Sequence, residues 1–94
     1  MKSIIQKDHD CYLCKKLAIE RPGTDLHHMI HGTANRKLAD EDGLTVYLCR
    51  QHHAALHDKG LHDLYLQQEA QKAWMKHYGK SIDDFIQRYG KSYL

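Results

Sequence analysis

The chain has 94 residues, with 14 lysines and arginines against 12 aspartates and glutamates, and its net charge of +2 is too balanced to announce a polyanionic partner by composition. At this length only about 60 to 65 per cent of the unfolded surface is buried on folding, so one domain over residues 1–94 with a marginal core is expected, and a structural metal would offset the shortfall. No apolar run approaches the roughly 20 residues needed to span a bilayer, which leaves no membrane partner to expect.

Met1 to Asp10 is polar apart from Ile4-Ile5 and reads as an extended lead-in without the apolar run of a signal peptide. Three cysteines are an odd number for a disulfide framework, so reduced thiols and a cytoplasmic location are the consistent expectation. Cys11-Tyr-Leu-Cys14 forms a first knuckle, followed by Lys15-Lys16. Arg21-Pro22-Gly23-Thr24 is a turn signal, in which proline fixes its own φ and glycine admits a positive one.

Asp25 to His31 alternates imperfectly and predicts a strand, with Leu26, His28 and Ile30 on one face and His27, Met29 and His31 on the other. Neighbouring histidines on a strand point to opposite faces, and a kink or bulge would let both serve one site. Gly32 to Gly43 reads as a polar loop carrying Asn35, Arg36 and Lys37 ahead of the acidic Asp40-Glu41-Asp42. Leu44 to Leu48 predicts a second strand, rich in β-formers, that runs into Cys49. Gln51 to Asp58 predicts a short helix on which His53 and His57 share a face at i,i+4, ended by Asp58-Lys59-Gly60.

Leu66, Ala70, Ala73, Trp74 and His77 recur at helical spacing, which predicts a helix from about Leu61 to Tyr78 that Gly79 terminates. Ser81 with Asp84 three residues later is a capping box for a final helix whose apolar face is Ile82, Phe85, Ile86 and Tyr89. These two helices are expected to clamp the metal-bearing part and to supply most of the core. Trp74 and the tyrosines near it read as core, His77 as a surface or packed side chain, and Lys15-Lys16 as solvated.

Nine histidines are many for this length, and seven of them fall between His27 and His62, a clustering that points to ligation. Cys49 and His52 form a Cys-x2-His knuckle, and Cys11 with Cys14, about thirty-five residues upstream, completes a Cys3His set suited to a tetrahedral structural zinc. Such a site can contribute on the order of 10 kcal/mol to folding, comparable with the net stability of a whole small domain. A second cluster, His27, His28, His53, His57 and His62, would converge if strand, returning strand and helix make a ββα unit, with His31 left as an ordinary surface or packed histidine.

In Cys11-Tyr-Leu-Cys14, Leu26-His27-His28-Met-Ile, Leu48-Cys49-Arg-Gln-His52-His53 and the trailing His57, the sequence resembles the HNH, or ββα-metal (His-Me finger), endonucleases. It also looks like the small zinc-stapled proteins of this type encoded by phages and prophages. The resemblance covers Cys11 to about His62 and leaves the helical extension, about 61–90, outside it. It implies an α+β fold with a zinc-stapled ββα-metal core and two C-terminal helices. It further implies phosphodiester hydrolysis on DNA, as an endonuclease or nickase, in phage recombination or processing.

By the same resemblance His28 is the general base, and His27 and His53 hold a catalytic divalent metal, with either His57 or His62 as third ligand. Imidazole suits proton abstraction near neutral pH. All-imidazole ligation favours zinc, nickel or manganese over magnesium. Arg36, Lys37 and Arg50 would bind neighbouring phosphates. Leu44 stands where the family carries its middle asparagine, and Asn35 would orient the base instead. The rival expectation is a catalytically silent zinc module that binds DNA or a protein partner. A third is an adaptor or inhibitor docking through its C-terminal helices.

Overall fold

The structure, a computed structural model, describes residues 2–94. In chain order it contains α1 (Tyr12–Lys16), β1 (Asp25–His28), α2 (Thr33–Asp42), β2 (Thr45–Leu48), α3 (Arg50–Lys59), α4 (Asp63–Tyr78) and α5 (Ile82–Tyr89). The protein is thus a small α+β molecule in which five helices surround a two-stranded antiparallel sheet, counting the described residues. No helix among them is long and apolar enough to cross a membrane.

The sheet sets the position of everything else. Asp25 pairs with Leu48, Leu26 with Tyr47, His27 with Val46 and His28 with Thr45, a regular ladder with no bulge. The strand expected over 25–31 stops at His28: Met29 still gives its N–H to the Leu44 carbonyl, but Met29 and Ile30 are both buried, and the alternation of a strand ends there. Two consecutive buried side chains break the expected alternation. Leu26 is exposed and His27 is buried, so the inner face of β1 carries an imidazole where an aliphatic side chain would be ordinary.

The irregular lead-in lies along the outer edge of β2. Ser3 donates to the Thr45 carbonyl at 2.6 Å, and Gln6 accepts from the Tyr47 N–H at 2.7 Å, so the free strand edge is covered. The turn before β1 works differently from the expectation of a positive φ at Gly23. A Cβ there would sit 2.5 Å from the Tyr47 Cβ and 2.9 Å from the His9 carbonyl oxygen, so glycine is needed for close approach.

The larger correction is α2. Residues expected to form a polar loop make a ten-residue helix, closed by Gly43 in the left-handed conformation (φ 77°), with Leu44 N–H on the Ala39 carbonyl. Its inward positions are Asn35, Leu38, Ala39 and Asp42, which follow helical spacing; two of the four are polar, so an apolar count misses the period.

The C-terminal helices form as the pattern requires. α4 buries Leu66, Ala70 and Trp74. α5 begins at Ser81, whose hydroxyl accepts from Asp84 N–H while the Asp84 carboxylate accepts from Ser81 N–H. Of its expected apolar face, Phe85 and Tyr89 are buried, but Ile82 and Ile86 are exposed, as is His77 on α4. The helices share the core rather than supplying most of it. Leu13, Met29, Ile30, Leu44, Val46, Leu48 and Leu56, around the sheet and the cysteine turns, are equally buried.

Candidate metal centres

Cys11 caps α1, and its thiol accepts from the Cys14 N–H at 3.4 Å, so one short turn brings both sulfurs to the same side. β2 runs straight into Cys49, the cap of α3, and the first turn of that helix returns His52 to it. The four ligand atoms lie within 4.8 Å of one another. His52 Nδ1 is 3.5 Å from Cys11 Sγ, 3.3 Å from Cys14 Sγ and 3.4 Å from Cys49 Sγ, and the Cys14 and Cys49 sulfurs are 3.9 Å apart.

These distances discriminate between chemistries. A disulfide would hold two sulfurs about 2.05 Å apart. A zinc tetrahedron with Zn–S near 2.3 Å and Zn–N near 2.0 Å has sulfur–sulfur edges of about 3.8 Å and sulfur–nitrogen edges of about 3.5 Å. The observed set matches the second, and all three cysteines are free and buried. The Cys11, Cys14, Cys49 and His52 group could therefore hold a metal ion such as zinc. Burial, followed by the charges of His62 and Arg21, lowers the proton affinity of His52 and favours the neutral ring that a metal needs.

A second group lies on the other side of α3. His27 on β1 and His53 and His57 on successive turns of α3 bring their ligand atoms within 4.8 Å of one another. His53 Nδ1 donates to Asp25 Oδ2 at 2.9 Å, which leaves Nε2 of that ring as the lone-pair end, 3.0 Å from His57 Nε2. A carboxylate behind a histidine fixes its tautomer and raises its basicity as a ligand. The His53 hydrogen bond holds the Asp25 carboxyl below its ordinary range, aided by Thr24 and Arg50 against the effect of burial.

His27 is the telling residue. Its Nε2 is buried without a hydrogen-bond partner, the one such side-chain atom among the described residues. Burial first, then the charges of His31, His53 and His57, hold the ring pKa down to about 3, so it is neutral and keeps a lone pair. A buried unpartnered imidazole nitrogen beside two other imidazoles fits a cation better than it fits a packed core.

Both His27 and His28 border an open cleft of about 570 Å³, together with His31, Arg36, His53 and His57. His28 Nε2 sits 3.3 Å from Asp40 Oδ1 on α2. Asn35 is turned elsewhere, donating to the Tyr89 carbonyl at 3.1 Å, so the side chain beside His28 is Asp40. His62, in the left-handed conformation before α4, faces the other centre, its ring 6.0 Å from that of His52. Of the two candidates for third ligand, the one in the imidazole group is His57.

Arg50 projects from α3, 81 % exposed, with its Nε 3.1 Å from Asp25 Oδ2, and Lys37 is exposed on α2. Sequence reasoning missed Asp25, Asp40 and Asp63, and set His31 aside. Only Asp25 left a trace, as an acid two residues before the first ligand. No family model, no curated protein and no solved structure matches the chain.

Proposed function

We propose that the protein is a metal-dependent DNA endonuclease or nickase with a ββα-metal core resembling that of the HNH enzymes. The observation that carries the reading is the arrangement around one cleft. An antiparallel pair and the helix that follows it present His27, His53 and His57 as one ligand group, with His28 bordering the same space.

Asp40 accepts from His28 Nε2 and so leaves Nδ1 as the basic atom. His28 Nδ1 takes the proton from the attacking water. Arg36, on the cleft wall, neutralises the phosphate that enters, and the exposed Arg50 and Lys37 are the cations for neighbouring phosphates. His27, His53 and His57 would hold a divalent ion, which would supply charge neutralisation at the scissile phosphate and the leaving oxygen. The Cys3His group would, with zinc bound, hold the entry to α3 in place.

Plasmid nicking by the purified protein with manganese, nickel or zinc tests this reading. His28→Ala is expected to abolish nicking while leaving the melting temperature and DNA affinity nearly unchanged. Undiminished cleavage by that variant removes His28 as base. DNA binding without cleavage by the wild-type protein, whatever the ion, replaces the enzyme with a module that binds and does not cut.

A further inference from the structure

The loop after β1 sets a second group of donors against the first. His31, in that loop, has Nε2 in hydrogen-bond contact with Oδ1 of Asp63, the first residue of α4. The ligand atoms of His27, His31 and Asp63 lie within 4.8 Å of one another, just as those of His27, His53 and His57 do. His27 is common to both, its ring 5.6 Å from that of His31 and 5.4 Å from that of His53. It is also the residue whose buried Nε2 has no partner.

One imidazole lone pair serves one ion at a time. The two groups are therefore alternatives, and they differ in chemistry. His53 and His57 complete an all-nitrogen set. His31 and Asp63 complete a set of two imidazoles and one carboxylate, the donor combination found with iron(II), and carboxylate oxygen is the ligand that suits manganese(II). His31 also borders the cleft, which a simple tie between a loop and a helix would not require.

We propose that the cleft holds a divalent cation in either of two positions sharing His27. One is on His53 and His57; the other, on His31 and Asp63, favours manganese(II) or iron(II) over zinc relative to the first. The carboxylate of the second position comes from α4, so an ion there ties the C-terminal helices directly to the hairpin. The assignment stands on donor geometry and holds whether or not the chain cleaves DNA.

Metal titrations of the full chain, with zinc already in the Cys3His group, test it. Bound manganese is counted by electron paramagnetic resonance, and zinc by competition with a chromophoric chelator. Asp63→Asn and His31→Gln are each expected to weaken manganese binding by about tenfold or more and to leave zinc binding at the cleft essentially unchanged. His57→Gln is expected to do the reverse. Manganese affinity unchanged in Asp63→Asn and His31→Gln makes the His31–Asp63 contact a plain structural tie and overturns the second position. So does an equal loss of both metals in folded variants, or a wild-type cleft that takes no manganese. Circular dichroism establishes folding, and if Asp63→Asn is unfolded, His31→Gln decides by the same criteria.

Discussion

Asp42→Ala tests how the helical part is fastened to the sheet. Asp42 ends α2, is 8 % exposed, and accepts from three side chains on α4 and α5. Trp74 Nε1 reaches Oδ2 at 2.9 Å, Tyr89 Oη reaches it at 2.6 Å, and Arg88 forks across both oxygens at 2.6 and 2.8 Å. Removing the carboxylate strands these donors unequally. Arg88 is one-third exposed and can turn to water, whereas Trp74 and Tyr89 are 5 % and 3 % exposed and cannot. A buried donor left unpaired costs about 1–3 kcal/mol, so the two together, with a discounted share from Arg88, give about 3–5 kcal/mol. A chain of this size has on the order of 5–14 kcal/mol to lose. The melting temperature should fall by roughly 15–30 °C, read by circular dichroism at matched zinc. A loss below about 1 kcal/mol would mean that apolar packing alone docks these helices, and the account of Asp42 as their fastening would be wrong.

Further outcomes concern the metal centres. Cys14→Ser, or chelation of the wild-type protein, is expected to abolish the cooperative melt, since structural zinc contributes about 10–16 kcal/mol in sites of this kind. A folded, zinc-free protein contradicts that. Burial, then Cys11 and Cys49, push the Cys14 thiol up to about 11, so near pH 7 it is protonated until zinc takes its thiolate. Zinc binding should release at least one proton, and apparent affinity should fall about tenfold or more for each pH unit of acidification; calorimetry in buffers of different ionisation enthalpy measures this, and no net release refutes it. Asp25→Asn removes the carboxylate behind His53 and should weaken metal binding at the imidazole group by about 10–100-fold, leaving the Cys3His group loaded. Competition titration reads the change, and unaltered affinity would deny Asp25 its orienting role.

What the sequence discloses here depends on how local the information is. The two knuckles are legible because each is one turn long, so spacing alone puts Cys11 beside Cys14 and Cys49 beside His52. His53 and His57 are legible for the same reason, being neighbours on one helical face. The residues that support them are not, because their relation is made by the sheet and by the helix ends. Asp25 meets His53 only after β1 pairs with β2, and Asp63 meets His31 only after α4 packs back across the hairpin. α2 was hidden by another effect. Its inward face spends two of four positions on Asn35 and Asp42, which are held by hydrogen bonds from and to α5 instead of by hydrophobic contact. A search for apolar period treats such polar inward residues as loop, yet burial of a carboxylate is tolerable when three donors surround it. The same reasoning separates the two centres. Three thiols and an imidazole on two tight turns can form a staple almost independently of the rest, whereas the imidazole group needs β1 and α3 in place, and the group of His27, His31 and Asp63 needs the start of α4 as well. Asp42→Ala, which unfastens α4 and α5 from α2, should therefore weaken metal binding that depends on Asp63 before it affects zinc binding by the Cys3His group, an order that metal titration of the variant reads.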